Sequence, residues 1–388
     1  MQTIQAHENT QPSKWSGVIV FLVVITVLAT ASLPIMLHGN INFGDSPSYL
    51  AIYNLKFENA KEVHRYRIVE PLVARCVKEL IVATKLASLV EHFGEMQDST
   101  DILTRFSFWA SNLIGTSIAL ISIIKLIQPI RASAAESIAG LLMFGTSRGF
   151  LFNIGSPVVD TWEIASLSMA TALLQSRKYI YLPPLMIAAY SVKETATYYI
   201  GMTALLALLF DRVTTRKVKY ALIVSVISTI TLAPFAEGAL ISFQHFLSVL
   251  YGNPLAVPLS STNTLTTGEE LLSSAASSLI TSLGATLRHY ADGVLKMISP
   301  ALLVTSIFGI WLAIKNQKLA QLEEIGRYKS LLYLIGVGSV AGVISGVFGM
   351  RLLETVFVLI PFSIIFLRNV SGHPLIQAEQ QAFNNQDK

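Results

Sequence analysis

The chain has 388 residues, of which 52% are hydrophobic and only 13% charged, against roughly 25% charged residues in soluble domains. That deficit, with a mean hydropathy of +0.57, excludes an ordinary soluble protein and predicts an all-α, polytopic integral membrane protein, with residues 1–388 as one transmembrane domain. The net charge of +4 makes no case for nucleic acid, because a modest basic excess in such a chain belongs to cytoplasmic loops; the single cysteine, Cys76, allows no intrachain disulfide.

The first fourteen residues are polar and read as cytoplasmic. A first span follows over Trp15 to Leu37. It is too long for a signal-peptide core and lacks a small-residue cleavage site, so it reads as a retained anchor. His38 to Asp101 is the first extracytoplasmic loop. Within it, "RIVEPLVARCVKELIVATKLASLVEHF" carries Glu70, Arg75, Lys78, Glu79 and Lys85. Charges at that density each cost a few kcal/mol at mid-bilayer. Arg65 to Phe93 is therefore expected to form one or two amphipathic helices along the outer interface.

The next spans are expected at Ile102 to Ile127, Glu136 to Phe152, Trp162 to Gln175, Tyr179 to Val192, Ala196 to Phe210 and Tyr220 to Leu240. Ser242 to Lys296, rich in Ser and Thr around "SSTNTLTTGEE", is the second extracytoplasmic loop. Ile298 to Ile314, Leu331 to Val347 and Leu353 to Leu367 complete the spans, and Asn369 to Lys388 is a polar cytoplasmic tail. No internal repeat is evident. With the N-terminus inside, Arg131, Arg177, Lys178, Arg212, Arg216, Lys217, Lys219, Lys315, Lys318, Arg327 and Lys329 fall in inner loops. The positive-inside rule thus supports about ten spans with both ends cytoplasmic. It also supports a non-crossing Arg65 to Phe93, since one extra crossing would invert every later loop.

This topology gathers the unusual polar residues on the outer face. Asp45, Arg65, Arg67 and Glu70 lie in the first outer loop. Arg148 lies toward the outer end of span three, Asp160 and Glu163 at the start of span four in "PVVDTWE". Lys193 and Glu194 lie between spans five and six in "SVKETATYY", and Arg351 and Glu354 before span ten in "GMRLLE". Ionisable residues near a bilayer are expensive and mark functional sites. Carboxylates supply general bases or metal ligands, and arginine binds phosphate through a planar fork. Acids and bases on one membrane face suit a lipid phosphate whose tail stays in the bilayer. Tyr49, Tyr53, Tyr66 and Trp162 are placed to stack on sugar rings or to sit in the interfacial aromatic belt.

An acid soon after the first span in "GDSPSYLAIY", then "RYRIVEPLVAR" opening an amphipathic helix, resembles the GT-C superfamily of polytopic glycosyltransferases that use polyprenyl-phosphate-linked sugars. The resemblance covers the whole chain in layout and about forty residues in motif. It implies Asp45 as catalytic base or metal ligand, Asp160 as a second catalytic acid, and Arg351 as a contact to the lipid phosphate. Tyr49, Arg65, Arg67, Glu70, Lys193 and Glu194 would complete substrate binding. A divalent metal, Mg or Mn, is the candidate cofactor at Asp45, although the first loop lacks the paired acids of many members. The implied partners are a lipid-linked sugar donor, a glycan, lipid or protein acceptor of the cell envelope, and membrane lipids, with the site facing out from the plasma (inner) membrane.

Structural alternatives stand beside each assignment. Asp45 can cap the helix that Pro47 begins, and Arg65 and Arg67 can contact headgroups. Asp160 and Glu163 suit a helix dipole. Lys193 with Glu194, and Arg351 with Glu354, can form local ion pairs. Two other functional classes remain: a transporter or flippase of a lipid-linked or anionic solute, and a non-catalytic subunit of envelope-polymer assembly. Transporters usually carry repeats and midplane charges, and neither is evident here.

Overall fold

A computed structural model describes residues 14–41, 44–61, 64–65, 67–96, 101–130, 132–210, 216, 218–228, 242, 246, 298–315, 331–338, 340 and 355–370. Every element among them is helical. In chain order they begin with α1 (Lys14–His38), α2 (Ser46–Tyr53), α3 (Val69–Ala83), α4 (Ala87–Met96) and α5 (Ile102–Ile127). Then come α6 (Ala134–Gly145), α7 (Arg148–Gly155), α8 (Asp160–Gln175), α9 (Leu182–Val192) and α10 (Glu194–Phe210). Further helices cover Val218–Ser228, Pro300–Lys315, 331–338 and Ile360–Val370.

The expected amphipathic segment forms two helices, α3 and α4. They are divided at Lys85, whose φ of 60° is the left-handed turn that commonly stops a helix. One expectation is corrected: Glu136 to Phe152 is not one helix. α6 starts on a capping box between Ser133 and Glu136 and closes at Thr146, whose N–H bonds back to Leu142. Ser147 then turns extended (φ −60°, ψ 141°) and starts α7. Gly145 at this break packs directly on Leu28 of α1. The remainders of the expected spans at Tyr220 to Leu240 and Leu331 to Val347, and nearly all of Ser242 to Lys296, lie outside the described residues.

α5 is the central post. It packs most extensively on α8 and also against α1, α3 and α7. α1 and α5 run antiparallel: Gly17 at the start of α1 faces Ile124, near the end of α5. At the opposite end, Arg105 of α5 donates to the carbonyls of Met36 and Gly39 (3.2 and 2.5 Å). Trp109 of α5 donates to Ser32 of α1 at 2.9 Å. Small residues set the closest approaches, as between membrane helices. Gly115 of α5 lies under the Trp162 ring of α8, and Gly309 meets the Phe362 backbone carbonyl with no room for a Cβ.

The bundle has two chemically different ends. One holds the ends of α5 and α8, where Gln175 donates to the Leu126 carbonyl and Arg368 to that of Ile130. The other holds the starts of α3, α8 and α10.

The flanks between these ends are apolar. Val18, Ile19 and Leu22 of α1, and Ile307, Phe308 and Trp311 further on, are exposed. Patches of this kind mark protein or membrane contact. Hydroxyls turn back on their own helices: Thr30 to Thr26, Ser117 to Leu113, Ser122 to Ile118, Thr171 to Leu167 and Ser306 to Leu302. Such back-bonding satisfies a polar group where solvent is missing. Gly17–His38 and Ile102–Ile130 are long and apolar enough to cross a membrane; Ala134–Gly145, Tyr179–Val192, Glu194–Phe210, Val218–Ser228, Pro300–Leu312 and Val356–Val370 are shorter apolar helices.

Candidate functional site

The expected outer-face residues meet at the second end of the bundle. Arg67 precedes α3, and the Ile68 N–H donates to the Ser191 carbonyl at the end of α9. This bond brings the first loop to the α9–α10 junction. α9 stops at Lys193, and α10 begins at Glu194. The two adjacent residues then diverge. Lys193 Nζ donates to Asp160 Oδ1 at 2.7 Å and lies 2.5 Å from Glu163 Oε2. The second contact is an ion pair off the line of a hydrogen bond. Glu194 receives Arg67 in a two-pronged pair, Nε to Oε2 at 3.0 Å and Nη2 to Oε1 at 2.5 Å. In place of the local Lys193–Glu194 pair that stood as the structural alternative there are two long-range pairs, because these consecutive residues at a helix junction point apart.

These pairs are well shielded. The side chains of Arg67 and Lys193 are 7% exposed, that of Asp160 21%, and that of Glu163 is fully buried. Thr195 donates to the other Glu163 oxygen at 2.7 Å. Arg67 Nη1 also donates to the Tyr49 hydroxyl at 3.1 Å. Burial pushes the Tyr49 hydroxyl pKa up against the pull of Arg67, so it stays protonated. Burial opposes the charge on Arg67, but hydrogen bonding and electrostatic interaction with Glu194 and Tyr49 together outweigh it and hold the guanidinium pKa high. α5 supports the site through Asn112, which donates to the Ser156 carbonyl and accepts from Thr161, each at 2.7 Å.

Glu70, the second residue of α3, is fully buried, and neither carboxylate oxygen has a hydrogen-bond partner. Ser111 of α5 bonds only its backbone carbonyl, at 3.2 Å. Burial, and secondarily the charge of Asp160, raises its pKa well above the usual carboxylate range.

Asp45 stands at the rim. It holds the N-cap position of α2, with Pro47 in the first turn, yet its side chain makes no cap bond. Its oxygens face Lys61 Nζ at 3.5 Å and His64 Nε2 at 3.4 Å, and its side chain is 46% exposed. The helix-cap alternative therefore holds for its position but not for its carboxylate. His64 packs against Tyr49, ring centroids 5.6 Å apart, which joins the rim to the buried pairs. Burial, then Arg67, lowers the His64 pKa against the opposing pull of Asp45. Arg65 donates to the Ala60 carbonyl at 3.0 Å and belongs to the loop rather than the cluster. Arg148 is exposed at the start of α7. Arg351, Glu354 and Tyr66 lie outside the described residues.

Lys61, His64 and Thr195 were not singled out from sequence. His64 immediately precedes "RYRIVEPLVAR" and Thr195 stands inside "SVKETATYY", while Lys61 has no motif to mark it. Among the described residues no three His, Cys, Asp or Glu side chains are grouped to hold a metal ion. Asp45 faces Lys61 and His64, and Asp160 and Glu163 share Lys193. No protein-family profile, curated protein or solved structure matches the chain.

Proposed function

We propose that the protein is a polytopic protein of the plasma (inner) membrane, with about ten spans and the charge cluster on the extracytoplasmic face. Its role in this reading is that of a GT-C-type glycosyltransferase, moving a sugar from a polyprenyl-phosphate-linked donor to an envelope glycan, lipid or protein acceptor. One observation carries this reading: a half-exposed carboxylate, Asp45, at the rim of a shielded cluster of Tyr49, Arg67, Asp160, Lys193 and Glu194 at one end of an apolar-sided bundle. The basic residues Arg177, Lys178 and Arg368 mark the opposite end, as the positive-inside rule requires of a cytoplasmic face.

In this reading Asp45 takes the proton from the acceptor hydroxyl as that oxygen bonds to the anomeric carbon. The bond from the anomeric carbon to the phosphate oxygen breaks, and the departing lipid phosphate keeps the electron pair. Cations beside it stabilise that charge. Lys61, 65% exposed next to Asp45, and Arg65 are the more accessible ones. Arg67 and Lys193 would reach a phosphate only by giving up carboxylates, so they serve first to hold the α9–α10 junction rigid. The exposed apolar residues Leu80, Val82, Leu86 and Leu89 of the α3–α4 segment suit it to lie in the outer interface.

The function is tested with purified protein in nanodiscs, offered a panel of polyprenyl-phosphate sugars and envelope acceptors. A covalent glycosylated product is expected. Solute movement into proteoliposomes without any such product would instead establish the transporter reading, which the buried Glu70 favours because proton-coupled carriers use such carboxyls. The topology is tested with single cysteines at Asn59 and Arg177 in a Cys76→Ser background. Labelling by a membrane-impermeant reagent from opposite sides is expected, and labelling of both from one side rejects the orientation.

A further inference from the structure

Glu70 has no task in the transfer scheme, yet its setting is unusual. A carboxyl taken fully out of water normally finds hydrogen-bond donors, and leaving it without them is costly. Here the side chain is fully buried, and both oxygens lack a protein partner. The groups around it explain why no cation neutralises it. From α2 come Tyr49 and Tyr53, which pack with Ala74, one turn along α3 from Glu70. The Tyr49 hydroxyl already receives Arg67. From α5 come Phe108 and Ser111, and Ser111 is spent on the Glu70 backbone. The end of α9 supplies Lys193, which is committed to Asp160 and Glu163. α8 supplies Asp160, a like charge. The nearby cations are thus shared among other acids, and the charge acting on Glu70 is negative.

We propose that Glu70 is a proton-binding site coupled to Asp160: the carboxyl rests neutral beneath the ion-pair cluster, sealed from water, and gives up its proton more readily when the negative charge at Asp160 is neutralised or withdrawn, or when a cation reaches Glu70 itself. The chemistry is that of a carboxyl held out of water beside a second, charged carboxylate. With Glu70 neutral, Arg67 and Lys193 face three carboxylates. Loss of its proton would add a fourth at a fully buried position. A cationic ligand reaching Asp160, or movement of Lys193 toward Glu70, would lower that cost and release the proton. Proton uptake and release would then report on what occupies the cluster. The direction of the Glu70 shift agrees with this resting state. The proposal does not rest on sugar transfer and survives or fails independently of it.

The test is infrared spectroscopy of the full-length protein in lipid, with Glu70→Gln and Asp160→Asn compared with wild type. The expected result is a protonated-carboxyl C=O band at neutral pH that is absent from Glu70→Gln. In Asp160→Asn that band is expected to disappear at lower pH than in wild type, because the like charge has gone. A second measurement covers the case in which Asp160→Asn fails to fold. The folded state holds a proton that the unfolded state gives up above the usual glutamate range. Raising the pH through the interval between that range and the raised value must therefore lower the Tm of wild type. Glu70→Gln, which cannot titrate, is expected to lack this decline, so the difference between the two widens with pH. Identical carboxyl bands in wild type and Glu70→Gln, or parallel Tm profiles, would overturn the proposal. An unshifted band in a folded Asp160→Asn would overturn the coupling.

Discussion

Replacing Lys193 by methionine is expected to destabilise the protein by about 3–5 kcal/mol, the usual cost of breaking a buried ion pair from one side. The reason lies in what stays behind. Glu163 is fully buried and keeps only the Thr195 hydroxyl, and Asp160 loses its 2.7 Å partner. Two carboxylates in the first turn of α8 would then face each other and Glu70 without the lysine they share. The start of α8 also carries Thr161, which bonds Asn112 of the central post, so the damage should spread into the bundle. Glu163→Gln in the Lys193→Met background removes one stranded charge and is expected to restore part of the loss, a sign of coupling that independent sites do not show. Lys61→Met is the contrast. Its contact with Asp45 is 3.5 Å long with both side chains well exposed, and such pairs are worth about 0–1 kcal/mol. Unfolding in detergent, followed by tryptophan fluorescence, reads all three. A Lys193→Met protein as stable as wild type would mean that water reaches these carboxylates and that the cluster is not a closed unit.

The cluster also shows which features could be read from the chain. Charges in a sequence this apolar stand out, and the positive-inside count sorts them to one side. That is why Asp160, Lys193, Glu194, Arg67, Glu70 and Tyr49 could be assigned to one face before any geometry was known. Pairing was not legible. Lys193 and Glu194 are neighbours in sequence, and the structural alternative to substrate binding paired them with each other. Their actual partners, 33 and 127 residues away, depend on how α8 and the first loop dock on the α9–α10 junction, which no local pattern encodes. Helix type was legible from hydropathy, but the break at Thr146 and Ser147 was not, since the short polar step there is flanked on both sides by apolar helical sequence and is pressed against Leu28 of α1 at Gly145. The distinction between Asp45 and Glu70 was also hidden. Both were acids in the same outer loop, yet one is half-exposed at a helix start and the other sealed under α5. Only the fold around each decides whether a carboxyl can exchange protons with a substrate or must hold one.

Asp45→Asn is expected to leave folding unchanged while reducing sugar transfer by about 100- to 10,000-fold, the usual contribution of a general base. The two halves of this expectation rest on different observations. Stability is spared because the Asp45 side chain makes no cap bond to α2 and its ion pairs lie at the surface; substitutions at such positions usually stay within about 0.5 kcal/mol. Transfer is lost because asparagine keeps the shape but cannot accept the acceptor's proton. Asp45→Glu keeps the carboxylate and should retain measurable transfer with displaced geometry. His64→Gln separates base from positioning group. If His64 only orients Asp45, its loss should lower the rate modestly, whereas Asp45→Asn should remove most of it. Donor binding, measured by displacement of a polyprenyl phosphate, should be nearly unchanged in Asp45→Asn, since the phosphate is met by cations and not by this carboxylate. An Asp45→Asn protein that transfers at the wild-type rate would reduce Asp45 to a solvated residue at the start of α2. The search for the base would then move inward to the partly exposed acids of the cluster, Asp160 and Glu194.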